Sequence, residues 1–291
     1  MLRRIVAAFD GSDLAREAFA YAATLAERTG ASIVGLFVRE PITPPPLAAD
    51  AAPGVDPGPA IAELTIELEQ LAQERERAAL EGLEEFAEHC RKRGVAFEKR
   101  LRDGPLLTTL LREAGEEDLL AVGRKGRFSR AGAGSTTKAL VKKAPCPVLV
   151  AQGPLRPVNR VLAVYDGHGP SAQAVRWARE LAAQAKWPLT TLAAPCDGLT
   201  LDEALQEAQR LAGDEAQVIA FGQRQEREAA LIEHAAEQAG AYALLVMGAY
   251  EHSLLRELLL GSETAAALNR VDGPMVLVHR AAATDQAAER A

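Results

Sequence analysis

The apolar positions of this chain change period in a regular way. Ile5-Val6-Ala7-Ala8-Phe9 is an unbroken apolar run that stops at Asp10-Gly11-Ser12-Asp13, the pattern of a strand buried on both faces. Ala15, Ala18, Phe19, Ala22, Leu25 and Ala26 then recur at helical spacing up to Gly30, which predicts a helix with a glycine stop. Ser32 to Val38 reads as a second strand. Pro41 to Pro59 is rich in Pro, Ala, Asp and Gly without any period, so it predicts a surface loop, with a lid over a site as the minor alternative. A long helix follows from about Ala60 to Arg93, with Leu64, Leu68, Leu71, Ala78, Leu83, Phe86 and Cys90 on one stripe. Val95 to Leu101 is a third strand, Pro105 to Ala114 a short helix and Leu119 to Val122 a fourth strand. A glycine-bearing loop and another helix lead to the fifth strand, Pro145 to Ala151, whose prolines place its start at a sheet edge or entry. Strands alternating with helices predict a parallel, doubly wound α/β sheet.

After a linker from Gln152 to Pro157 the pattern starts again. Val161-Leu162-Ala163-Val164-Tyr165-Asp166-Gly167 repeats Ile5 to Gly11, and Val175, Ala178, Leu181, Ala182 and Ala185 repeat the first helix. Leu244 to Gly248 repeats the fourth strand with its glycine, Gly261-Ser262 repeats Gly134-Ser135, and Gly273 to Val278 repeats the fifth strand. The order and the type of element both recur, which predicts a tandem duplication. The expected domains are residues 1–152 and 158–281. The second copy is shorter, lacking the Pro-rich loop and much of the long helix. Beyond Ala281 no pattern remains, as in a frayed tail.

The 291 residues suit one large or two ordinary domains, and 48% hydrophobic with 25% charged residues is a globular composition. No apolar run approaches a membrane span, and Met1-Leu2-Arg3-Arg4-Ile5 has no signal-peptide core, so a soluble, cytoplasmic protein is expected. A net charge of −7 argues against a general nucleic-acid binder. Cys90, Cys146 and Cys196 form no C-x-x-C pair, and the histidines show no ligand spacing, so no metal site is expected.

The candidate chemistry sits at Gly123-Arg124-Lys125-Gly126, followed by Gly134-Ser135-Thr136. Glycines between a strand end and a helix start let backbone N–H groups approach a ligand, and the helix N-terminus favours an anion. From Leu119 to Lys143 there is no acidic residue, while Arg124, Lys125, Arg127, Arg130, Lys138, Lys142 and Lys143 all fall there. Glycine spacing alone is equally compatible with a solvated loop; the charge bias favours phosphate.

The ordered set, twice over, resembles the universal stress protein family in its tandem two-domain form. It is carried by Val6 to Ser12, Val122 to Gly126 with Gly134-Ser135-Thr136, and Pro145-Cys146-Pro147-Val148-Leu149-Val150. In the second copy it is carried by Val161 to Gly167, Met247 to Ser253, Gly261-Ser262 and Pro274 to Val278. The resemblance implies two flavodoxin-like (Rossmann-like) domains, each a five-stranded parallel sheet flanked by helices. It also implies ATP, with Mg²⁺ as a companion ion, bound where strand order reverses. Asp10 and Val38 would then serve the adenine end, and Gly123, Arg124, Gly126, Gly134, Ser135 and Thr136 the ribose and phosphates. A weaker second site would use Asp166, Gly248, Gly261 and Ser262.

Two departures qualify this. The family pattern is Gly-x2-Gly-x9-Gly-Ser/Thr, and the first copy's second spacer is two residues short. The second copy puts Glu251 at the second glycine and Glu263 directly after Ser262, where carboxylates would face phosphates.

The function expected is an ATP-binding stress or signalling regulator with no catalytic residues. The alternatives are a nucleotide-free interaction module with remnant glycine loops, or a slow ATPase. No P-loop order occurs at Gly132 to Lys138, and Asp166-Gly167-His168-Gly169 lacks a second histidine for a nucleotidyl-transferase motif. The partners expected are an adenine nucleotide and an unknown protein, with no membrane and no nucleic acid. The two copies should pack as an intramolecular pseudo-dimer, their fifth strands being the candidates for edge pairing; whether two chains associate further is left open.

Overall fold

A computed structural model of the chain describes residues 1–41, 58–124, 135–167, 169–194, 199–221, 243–249 and 273–278. The first half runs β1 (Arg4–Ala8), α1 (Asp13–Thr29), β2 (Ser32–Arg39), α2 (Gly58–Lys92), β3 (Phe97–Asp103), α3 (Leu106–Glu113), β4 (Leu119–Gly123), α4 (Ser135–Lys143) and β5 (Val148–Ala151). The second runs β6 (Arg160–Tyr165), α5 (Gly169–Ala185), β7 (Leu189–Ala193), α6 (Leu201–Ala212), β8 (Gln217–Ala220), β9 (Ala243–Gly248) and β10 (Met275–Val278).

The ten strands among the described residues lie in one sheet, in the order β3-β2-β1-β4-β5-β10-β9-β6-β7-β8. Within each half the pairing is parallel, and read outward from the centre the second half repeats the strand order of the first. The halves join where β5 pairs antiparallel with β10, Leu149 standing opposite Val276. Because the join is antiparallel, the carboxyl ends of the two sets of strands point to opposite edges of the sheet.

Successive residues of a strand face opposite sides, so the apolar runs fill two cores. Ile5 and Ala7 face the layer that contains buried residues of α1, α2, α5 and α6, while Val6 faces the layer of α3 and α4. On the first side Phe9, Phe19 and Phe86 meet at centroid separations of 4.5–5.6 Å, with Phe97 beside Phe19. Helix α1 starts under Ser12, whose hydroxyl accepts the Ala15 N–H, and stops at Gly30 in the left-handed region.

The halves are also tied through their helices. Gln184 on α5 accepts the Leu2 N–H at 2.9 Å and donates its amide to the carbonyls of Leu2 and Thr29 at 2.8 and 2.7 Å. The linker N–H of Arg156 donates to the buried Tyr21 hydroxyl of α1 at 3.0 Å.

Several boundaries differ from the sequence expectation. Strand β3 begins at Phe97 because Cys90 accepts the N–H groups of Arg93 and Val95 in the turn that ends α2. The prolines of 145–147 precede β5 rather than belong to it. The pattern reading also passed over β7, α6 and β8, so the second half has its own second and third strands and a short helix in the place of α2.

Candidate functional site

In the first half the strand order reverses between β1 and β4, and their pairing stops at Ala7↔Ala121. Beyond that point the two chains separate. Asp10 lies two residues past the end of β1, and Gly123 closes β4. A crevice at the carboxyl ends of strands flanking such a reversal is where open α/β sheets take ligands. The pairing of β2 with β1 stops at Ala8↔Leu36, so Val38 lies past that ladder too, its side chain buried in the core with Val6 and Leu36. What Val38 offers the crevice is therefore backbone.

The rim is firmly built. The Ser12 N–H donates to Asp10 Oδ1 at 3.0 Å, folding the aspartate over the first turn of α1. Gly11 turns the chain with φ +76°, a conformation that favours glycine. On the β4 side, a Cβ on Gly123 would lie 2.9 Å from Leu14 Cβ and 3.0 Å from the Leu14 backbone, so this glycine lets strand and helix touch. The Arg124 N–H donates to the Ala151 carbonyl at 2.9 Å. Thr137, buried in the first turn of α4, donates its hydroxyl to the Gly123 carbonyl at 3.1 Å.

Ser135 opens α4, and half-buried Thr136 follows it; the first turn carries no acidic residue, and Lys142 and Lys143 occupy the last. The first N–H groups of a helix have no partner within the helix and its dipole there favours an anion, so this donor set fits a phosphate. Gly126 and Gly134 lie outside the described residues.

The second half repeats the construction. The β6–β9 pairing stops at Ala163↔Val246, Asp166 follows β6, and Gly167 turns with φ +83°. A Cβ on Gly248 would lie 2.5 Å from the backbone of Pro170 and Ser171, which are the counterparts of Leu14 and Ala15. Asp166 is more deeply buried than Asp10, and its N–H donates to Ser171 Oγ at 3.2 Å. Gly261, Ser262, Glu251 and Glu263 lie outside the described residues.

A scan against family models matches the universal stress protein family twice, over residues 1–152 and 157–279. The chain belongs to the universal stress protein family. It is 24% identical to a universal stress protein of Synechocystis over 94% of this chain and 99% of that one. Among solved structures, a universal stress protein from Archaeoglobus fulgidus aligns with TM-score 0.65 at 18% identity, covering 95% of this chain and 96% of that one. A protein of unknown function from Pseudomonas aeruginosa aligns with TM-score 0.54 at 16% identity, covering 96% and 93%. These two similarities are of fold.

Asp10, Gly123 and Arg124 thus lie past the end of the β1–β4 ladder, with the start of α4 tied to Gly123, Val38 lies past the end of the β1–β2 ladder, and Asp166 and Gly248 lie past the end of the β6–β9 ladder. Sequence reasoning passed over Leu14, Thr137 and Ser171. For Thr137 a signal existed: Thr264 stands at the matching place after Gly261-Ser262.

Elsewhere, burial pushes the Cys146 thiol up to about 12, with Asp118 adding to it, and burial likewise raises Cys90. Neither is a nucleophile at neutral pH. Among the described residues no group of His, Cys, Asp and Glu could hold a metal ion, and no helix is long and apolar enough to cross a membrane.

Proposed function

We propose that this protein is a nucleotide-binding stress or signalling regulator of the cytoplasm, built from domains 1–152 and 158–281, that holds ATP with Mg²⁺ in its first half. Asp10 and the backbone at Val38 serve the adenosine end. Gly123, Arg124, Gly126, Gly134, Ser135 and Thr136 serve the ribose and phosphates. The observation that carries the reading is the parting of β1 and β4 beside a helix start free of carboxylates. A bound nucleotide would supply charge and bulk that alter how the protein meets a partner protein. Among the described residues of the crevice the Asp10 carboxylate is held by the Ser12 N–H, and any hydrolysis is slow and rests on positioning.

The second half keeps Asp166, Gly248, Gly261 and Ser262, but its sequence has Glu251 in place of the second glycine and Glu263 after Ser262, a charge pattern unfavourable to a triphosphate. Its site is the weaker one, and as an interaction surface this half needs no nucleotide.

The test is to purify the chain without added nucleotide, denature it, and identify released ligand by chromatography. A single equivalent of ATP per chain, lost in Gly126→Glu and retained in Glu251→Gln, supports the reading. No ligand and no uptake of added ATP leaves the interaction module.

A further inference from the structure

We propose that Thr137 is a positioning residue for the phosphate end of the first site; this rests on the nucleotide reading above. Its hydroxyl donates to the carbonyl of Gly123, joining the first turn of α4 to the last residue of β4 across fourteen positions of chain. Those two points are where the loop bearing Arg124, Gly126 and Gly134 leaves the sheet and re-enters a helix.

The acceptor is fixed on every side. Gly123 is pressed against the backbone of Leu14 in α1, and the next N–H is held by Ala151 of β5. The β1–β4 ladder has already ended at Ala121, so the Gly123 carbonyl lies beyond it in the crevice. Thr137 is buried at 7% exposure, and its bond to Gly123 is part-buried, which limits competition from water. The hydroxyl therefore sets the distance and direction of the α4 N-terminus relative to α1 and β4, and with it the opening that the loop must span.

The internal repeat separates this role from ligand contact. Thr136, assigned to the phosphates, is replaced by Glu263 in the second copy, whereas Thr137 is matched by Thr264. A hydroxyl retained where the ligand-facing neighbour has changed is one that the scaffold uses.

A pin at the phosphate end has a specific signature. Thr137→Val should weaken ATP about tenfold, the worth of one hydrogen bond, while leaving adenosine affinity within about twofold. Thr137→Ser should restore ATP binding. The measurement is calorimetric titration of the full chain with ATP and with adenosine, alongside thermal melts of each variant. If Thr137→Val does not fold, Thr137→Ala against Thr137→Ser gives the same comparison. Equal loss for ATP and adenosine, or no loss for either, overturns the pin while leaving the nucleotide reading intact. Failure of the unmodified chain to bind either ligand overturns the nucleotide reading and the pin with it.

Discussion

Leu149 and Val276 face each other across the join between the two halves, and each is the second residue of its half's last strand. The local twofold of the duplication therefore passes through this pair. Both side chains are fully buried, so the join is a piece of core and not a seam between two surfaces. Leu149→Asp and Val276→Asp should each cost about 3–5 kcal/mol, the penalty of an uncompensated buried charge. Urea unfolding of the two variants tests this, and a cost borne by one position alone would show that the join is not shared.

The strand-end glycines are predicted to matter for stability before any ligand is present. A Cβ at Gly248 would stand 2.5 Å from backbone atoms of α5, and at Gly123 2.9 Å from Leu14. Gly248→Ala should cost about 2–3 kcal/mol and Gly123→Ala somewhat less, since overpacking against a helix backbone forces main-chain shifts. Melting temperatures without nucleotide measure it. Unchanged stability would return both glycines to a purely ligand-facing role.

Gln152, just past β5, is buried at 4% exposure, and its side-chain Nε2 has no hydrogen-bond partner among the described residues. An orphaned donor of this kind costs about 1–3 kcal/mol. Gln152→Leu should therefore raise stability by about 1 kcal/mol in urea titrations. A loss of stability would mean that the amide has an acceptor in solution.

Glu113 gives the fold an acid-sensitive tie. Burial raises its pKa, but hydrogen bonds from Arg100 and Arg102 outweigh this and hold the carboxyl below its usual range. A carboxyl depressed in the folded state contributes stability above its unfolded value, and that contribution is lost as pH falls through the folded value. Unmodified protein should exceed Glu113→Gln by about 1 kcal/mol at pH 7, and the gap should close below about pH 4. Paired denaturation curves across that range decide it; a gap that widens on acidification would reverse the sign of the argument.

Much of the fold was legible because its strongest signals are local. Ile5 to Phe9 and Val161 to Tyr165 have no polar interruption, and a glycine ends each fourth strand, so the first and fourth strands of both halves stand out from the pattern alone. Strands β7 and β8 were not legible, since Leu189-Thr190-Thr191-Leu192 and Gln217-Val218-Ile219 mix polar and apolar residues too briefly to show a period. Helix α6 did leave a mark, the capping box of Thr200 and Glu203, which a search for helix starts would have caught. The bond from Thr137 to Gly123 joins residues whose proximity depends on how the intervening loop closes, and spacing alone does not encode that. The packing need at Gly123 was hidden for a related reason: the same glycine also fits a phosphate loop, and the sequence cannot separate the two.

The continuous sheet has a consequence for biosynthesis. Strand β5 is complete once Ala151 has been made, yet its partner β10 is encoded near the other end of the chain. At ordinary elongation rates the interval is on the order of ten seconds. Throughout it one edge of β5 is held by β4 while the other, destined for β10, has no partner. Because Leu149 sits on the local twofold, the same antiparallel register would set Leu149 of one chain opposite Leu149 of another, the mispairing that an open edge invites. Fusing the two copies in one chain supplies the correct partner in cis, and the order of translation delivers that partner well after β5 itself.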